Sequence, residues 1–194
     1  MGSESRQNPI NARDHLLDRA RAGDSQAFDR LFVRHKDGVY ACLWHLLNGD
    51  PDLVEEAVGN VFLNAYRSLR QFRSESSLST WLYRIAVNEA RARIRQKRRG
   101  GIRGWFSLNG PNAEITAGPD PAEEALRTEE ERILWKAVRA LPEPFRTPIV
   151  LRYLSGLGSP QIADALRRPA GTVRYQLSRG LQILRERLGD EWTT

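Results

Sequence analysis

Gly156–Leu188, GLGSPQIADALRRPAGTVRYQLSRGLQILRERL, is the stretch that decides the fold. It reads as two short helices joined by a tight turn, the second longer and carrying Arg174, Gln176, Arg179, Arg185 and Arg187. Within that second helix Val173, Leu177, Leu181, Leu184 and Leu188 recur at three- and four-residue steps, the spacing of one buried face. Thr172, Tyr175, Gln176 and Arg179 then point away from it, where a groove could be met. A bracing helix followed by a cationic one is the layout of a helix-turn-helix, and Arg167-Arg168 falls at the turn, where base contacts usually begin.

Upstream, the pattern stays helical. Asp24 is a plausible N-cap for a helix carrying Phe28, Leu31, Phe32, Val39, Leu43 and Leu46. Asn48-Gly49 ends that run, and Asp50-Pro51 opens the next, a cap followed by proline at the first helical position. Leu53, Val54, Ala57, Val58, Val61, Phe62, Ala65, Tyr66 and Leu69 follow in helical rhythm. After a polar break at Ser74–Ser77, a third long helix runs from about Leu78 to Arg98 with Leu78, Trp81, Leu82, Ile85, Ala86 and Ile94 on one side. Three such helices make a domain large enough for one core.

Between residues 100 and 121 the rhythm stops. Gly100, Gly101, Gly104, Gly110, Pro111, Gly118, Pro119 and Pro121 mark a linker. Trp105, Phe106 and Leu108 inside it call for a packing partner. Helix resumes from Pro121 or soon after, stops at Leu141-Pro142, and restarts through Phe145, Ile149, Val150, Tyr153 and Leu154. Pro148 is expected in or near the first turn there, Gly156 closes that helix, and Ser159-Pro160 caps and starts the next. The expected architecture is all-α: one helical domain over residues 14–99, a flexible linker over 100–121, and a helix-turn-helix domain over 122–190.

Composition narrows the function. The 194-residue chain carries a net charge of +6, which favours a polyanionic partner. The charge is unevenly laid down. Seven basic residues and no acid lie between Ala90 and Arg103, whereas seven acids and one base lie between Glu114 and Glu131. Arg84, Asn88, Arg91, Arg95 and Arg98 share one helix face opposite the apolar stripe, a ridge suited to phosphates. The loop Gln71–Ser76 beside it offers an aromatic and polar groups to unpaired bases, while Trp81 falls on the core side. His15, His35 and His45 form neither a nucleophile pair nor a metal pair, no glycine-rich phosphate loop occurs, and Cys42 reads as a small buried hydrophobe. No enzyme, metal or cofactor is therefore expected. No apolar run suits a membrane span and no secretory signal opens the chain, which places it in the cytoplasm.

The segment Leu78–Asn88, LSTWLYRIAVN, resembles the F-x-T-W-L-Y-R-I-A-x-N signature of bacterial sigma factors of the extracytoplasmic-function (ECF) group. Leu141-Pro142, Val150–Leu154, Gly156-Leu157, Ile162-Ala163 and Gly171–Arg174 resemble that family's second domain, so the likeness spans roughly Leu16 to Leu188. It implies a sigma factor that binds core RNA polymerase, recognises the −35 and −10 promoter elements and opens the duplex. Carried over by position, Asp52, Glu55, Glu56, Gly59, Asn60, Phe62 and Leu63 would dock on the polymerase. Phe72, Arg73, Ser74, Tyr83, Arg84, Asn88, Arg91 and Arg95 would read and hold the −10 strand. Arg168, Ala170, Thr172, Arg174, Tyr175, Gln176 and Arg179 would meet the −35 duplex. The linker would thread the polymerase, and an anti-sigma factor is an expected further partner.

This sequence departs from the family pattern in three places. Gly59 and Asn60 stand where the family usually carries acidic-or-glutamine and acidic residues, Pro169 replaces a usual serine cap, and Tyr175-Gln176 replaces a frequent Ser-Arg. Two other readings compete: a stand-alone helix-turn-helix regulator, and a sigma-like protein that titrates an anti-sigma factor.

Overall fold

The computed structural model describes residues 15–99 and 128–189, with 98 and 99 as backbone alone. All regular elements among them are helical. The N-terminal unit comprises α1 (His15–Arg21), α2 (Ser25–Leu46), α3 (Pro51–Ser68), a 3₁₀ turn (Leu69–Gln71) and α4 (Leu78–Arg99). The C-terminal unit comprises α5 (Glu129–Arg139), α6 (Glu143–Tyr153), α7 (Ser159–Leu166) and α8 (Ala170–Leu188).

Local chemistry sets most of the boundaries. The Asp24 carboxylate accepts the Ala27 N–H at 3.0 Å, and the Asp50 carboxylate accepts that of Leu53 at 3.2 Å, closing the starts of α2 and α3. Asn48 and Gly49 between them both take positive φ, 63° and 75°, which turns the chain sharply. Ser77 caps α4 by accepting the Thr80 N–H. Thr128 and Glu131 form a reciprocal capping box at α5. The expected helix start near Pro121 and the Trp105-Phe106-Leu108 cluster lie outside the described residues.

Two boundaries differ from expectation. Pro148 is inside α6 rather than in its first turn, because Pro142 takes the N-cap and the helix begins at Glu143. Its burial with Thr147, Ile149, Val150 and Leu151 offsets the hydrogen bond that a proline cannot donate. At α7 the cap is Gly158, not Ser159: the Gln161 side chain reaches back to accept the Gly158 N–H at 2.8 Å.

In the N-terminal unit Leu43, Trp44, Val54, Val61, Phe62, Leu82 and Ala86 bury a common core between α2, α3 and α4. In the C-terminal unit Ile149, Leu151, Ile162, Val173 and Leu184 do the same between α6, α7 and α8. Gly180 of α8 lies so close to α6 that an added Cβ would stand 3.0 Å from Ile149.

The two units also meet. The His45 ring, 1% exposed, stacks on Trp135 of α5 with centroids 4.1 Å apart. Arg146 of α6 donates to the Asn48 side chain and, at 2.8 Å, to the Arg139 carbonyl. Cys42 and Tyr83 pack with Ser155 from the turn after α6. Burial pushes the Cys42 thiol up to about 12 and raises the Tyr83 phenol.

Candidate nucleic-acid interface

Three surfaces carry the functional side chains. The first is the outer side of α3. Asp52, Glu55, Glu56, Gly59 and Leu63 are exposed there, and a Cβ built on Gly59 meets nothing within 4 Å. Asn60 turns inward instead: its amide donates to Glu89 of α4 at 3.0 Å. Glu89 in turn accepts from Arg93 at 2.9 Å, and Arg93 reaches Glu56 at 2.5 Å. The Glu56 and Glu89 carboxylates hold the Arg93 guanidinium above its usual value. These four side chains bolt α3 to α4. Beside them, Phe28, Phe32, Phe62, Leu63 and Tyr66 line an open apolar groove between α2 and α3, with Leu63 45% and Tyr66 49% exposed.

The second surface is the loop before α4 and that helix's outer face. Phe72 is buried and lies against Trp81, ring centroids 5.0 Å apart. It anchors a loop in which Ser74 takes φ 56° and Arg73, Ser74 and Glu75 are exposed. Along α4, Asn88 and Arg95 are exposed. Arg84 and Arg91 are half-buried and paired with acids of the C-terminal unit. Arg84 Nη1 is 3.8 Å from Asp164 Oδ1, and Arg91 Nε donates to Glu143 Oε1 at 3.0 Å.

The third surface is the outer face of α8. The turn from α7 is made by Arg167, which takes φ 50°, ψ 50° and donates its N–H to the Ala163 and Asp164 carbonyls. Pro169 is the N-cap and supplies no side-chain hydrogen bond to the first turn of α8. Thr172, Arg174 and Tyr175 are exposed, Tyr175 at 64%. Arg168, Ala170 and Arg179 are half-buried. Two cationic faces on two helical units suit a DNA reader of two contacts. Among the described residues no cluster of His, Cys, Asp and Glu could hold a metal ion.

Comparison with known proteins decides the family. Sigma-70 region 2 matches residues 31–100 and Sigma-70, region 4 matches residues 131–184. An ECF RNA polymerase sigma-E factor of Haemophilus influenzae is 35% identical over 180 residues, 89% of this chain and 93% of that protein. The protein of the same name from Escherichia coli K12 is 35% identical over 176 residues, 87% of this chain and 90% of that protein. The chain belongs to the ECF sigma factors. Two solved structures share the fold at 21% identity. One is CnrH in complex with the cytosolic domain of CnrY (TM-score 0.67, covering 91% of this chain and 97% of that one). The other is the sigma factor RpoE in complex with the anti-sigma factor NepR from Bartonella quintana (TM-score 0.69, covering 83% and 96%).

Region 2 of this sigma factor is then the α2–α4 unit and region 4 the α5–α8 unit. Besides Asn60, three residues expected to face a partner are buried. Phe62 is 5% exposed and packs edge-on against Phe32, ring centroids 4.4 Å apart, so it shapes the α2–α3 groove from below. Phe72 is likewise 5% exposed; its ring serves the core and leaves Arg73 and Ser74 to solvent. Gln176 is 8% exposed because α8 packs against α5, α6 and α7 together, widening its buried stripe to Val173, Gln176, Gly180 and Leu184. Tyr83 is half-buried with its hydroxyl over Gly38, where a Cβ would come within 2.7 Å. Sequence reasoning placed Phe28, Phe32 and Tyr66 on core stripes. Their part in an open groove shows only once α2 and α3 are laid side by side.

Proposed function

We propose that this ECF sigma factor directs RNA polymerase to a particular promoter set, with region 2 docking on the enzyme and holding the −10 strand and region 4 reading the −35 duplex. The observation that carries the reading is the outer face of α8. Thr172, Arg174 and Tyr175 stand exposed on a helix whose other side is locked into α6 by Val173, Gly180 and Leu184, so the helix can enter a major groove without unpacking. Arg73, Ser74, Arg84, Asn88, Arg91 and Arg95 supply the single-strand contacts: guanidinium groups for phosphates and short polar groups for base edges.

On α3, the exposed Asp52, Glu55, Glu56 and Leu63 form the docking edge, with the Phe28–Tyr66 groove beside it as the apolar part. Asn60 contributes by fixing α3 to α4, through its amide on Glu89, rather than by touching the polymerase. The protein acts where the polymerase is, in the cytoplasm, and catalyses nothing itself. No helix among the described residues is long and apolar enough to cross a membrane. An anti-sigma factor is its proposed regulator.

The test is initiation from fragmented genomic DNA by purified core polymerase with and without the protein. Start sites that appear only with the protein, and share −35 and −10 elements, support the reading. A transcript set identical to that of core alone refutes it.

A further inference from the structure

We infer that the DNA strand held by the loop before α4 continues beyond it onto a phosphate track made by Arg67, Arg70 and Arg73, at the corner of region 2 where α3 ends beside the α1–α2 turn. This rests on the reading of that loop as part of the −10 surface, and it adds Arg67 and Arg70 to the residues that meet DNA. Ala65, Leu69 and Phe72 are buried at steps of four and three residues, which turns positions 67, 70 and 73 outward, and all three arginines are exposed. The 3₁₀ turn Leu69–Gln71 keeps residues three apart on one side, so the row follows the chain from the last turn of α3 into the loop. Arg70 reaches the turn between α1 and α2, where a Cβ added at Gly23 would stand 3.2 Å from its Nη2.

Other cations of region 2 are taken up by carboxylates: Arg19 by Asp24, Arg93 by Glu56 and Glu89, and Lys97 by Asp50. The side chains of Arg67, Arg70 and Arg73 have no ion pair or hydrogen bond among the described residues. Like charges one turn apart repel, and a polyanion that joins them relieves the repulsion. Each guanidinium offers its forked N–H donors to phosphate oxygens. The chemistry of α3 also changes along its length. Asp52, Glu55 and Glu56 are exposed on its first two turns and Arg67 on its last. A polymerase surface that accepts the acidic end is basic and would repel the arginine row, which leaves DNA as the partner that fits. Phosphate contacts position a strand without reading it, so the track lengthens the footprint and leaves the choice of element unchanged.

The test uses holoenzyme, the full chain on core polymerase, and fork templates carrying the −35 and −10 elements shared by the start sites that depend on the protein. The single-stranded tail either stops at the end of the −10 element or runs about eight nucleotides further, within the span of one strand-binding surface. Arg67→Ala with Arg70→Ala removes the track, and Arg67→Gln with Arg70→Gln serves if alanine disturbs the fold. Arg30→Ala with Lys36→Ala, both exposed on α2, removes the same charge elsewhere. Template affinity is measured across a salt series, with core binding followed separately and circular dichroism to verify helicity.

On the long tail the track variant should bind on the order of tenfold more weakly, and the slope of log affinity against log salt should flatten by about 1.4, two phosphates at about 0.7 each. On the short tail it should match the control. Equal losses on the two tails, or a loss on the long tail no larger than the control's, overturn the track. So does a loss of core binding, which would make this corner a polymerase contact. Absence of any start site that depends on the protein is a separate failure: it refutes the promoter reading, and the track falls with it.

Discussion

Gly59 offers a quantitative test of how α3 is built. It lies mid-helix, is exposed, and a Cβ added there meets no atom within 4 Å, so alanine introduces no clash and leaves every recorded contact in place. What changes is backbone freedom: glycine in a helix interior costs about 1 kcal/mol relative to alanine. Gly59→Ala should therefore stabilise the fold by about 1 kcal/mol. With a urea slope of roughly 1–3 kcal/mol per molar, the midpoint should rise by about 0.3–1 M at unchanged slope. The melting temperature should rise by about 2–4 °C for a chain of this size. Urea titration followed by circular dichroism checks both numbers. A midpoint that stays put or falls would mean that α3 is not a regular helix at Gly59 in solution, and the geometry of the docking edge would have to be redrawn.

Three further outcomes are expected. Arg167→Gly relieves a left-handed residue at the turn between α7 and α8 and should stabilise region 4 by about 1 kcal/mol, read from the thermal midpoint. Arg174→Ala should change which −35 sequences are selected from a random duplex library at little cost in stability. Gln176→Ala should leave the selected sequences alone and shift the melting temperature instead; the opposite pattern would place Gln176 in the groove. The Cys42 thiol, raised by burial from 9.0 to about 12, favours the folded state fully below pH 9, and that contribution is lost as pH rises from 9 toward 12. Alkylation near pH 8 should accordingly be slow in the folded chain and fast in urea; ready labelling without denaturant would contradict the burial.

Features that depend on near neighbours in sequence were legible before any coordinates. Asp24 and Asp50 cap their helices three residues ahead of the amides they accept, and the Gly158–Leu188 segment folds as the turn-linked pair its spacing implies. Distant partners were not legible. Gln176 looked outward because Val173 and Leu177 alone suggest a narrow stripe; three neighbouring helices make the stripe wide. Phe72 reads as a ring for unpaired bases because it sits in an otherwise polar loop beside the basic ridge, and only the fold brings Trp81 against it. Propensity puts Pro148 in or near the first turn of its helix, and burial overrides that preference. The pairing of Arg91 with Glu143 spans 52 residues and leaves no local signature.

The interlock of Asn60, Glu89, Arg93 and Glu56 has an evolutionary consequence. It joins the helix proposed to meet the polymerase to the helix proposed to meet DNA through side chains that each serve both. An acidic residue at position 60 would set a second carboxylate against Glu89 and push the two helices apart. A lineage selecting for tighter enzyme binding at that position would thereby alter its own promoter repertoire. On the proposed roles of α3 and α4, competition for the shared polymerase pool and choice of target genes would then be inherited together.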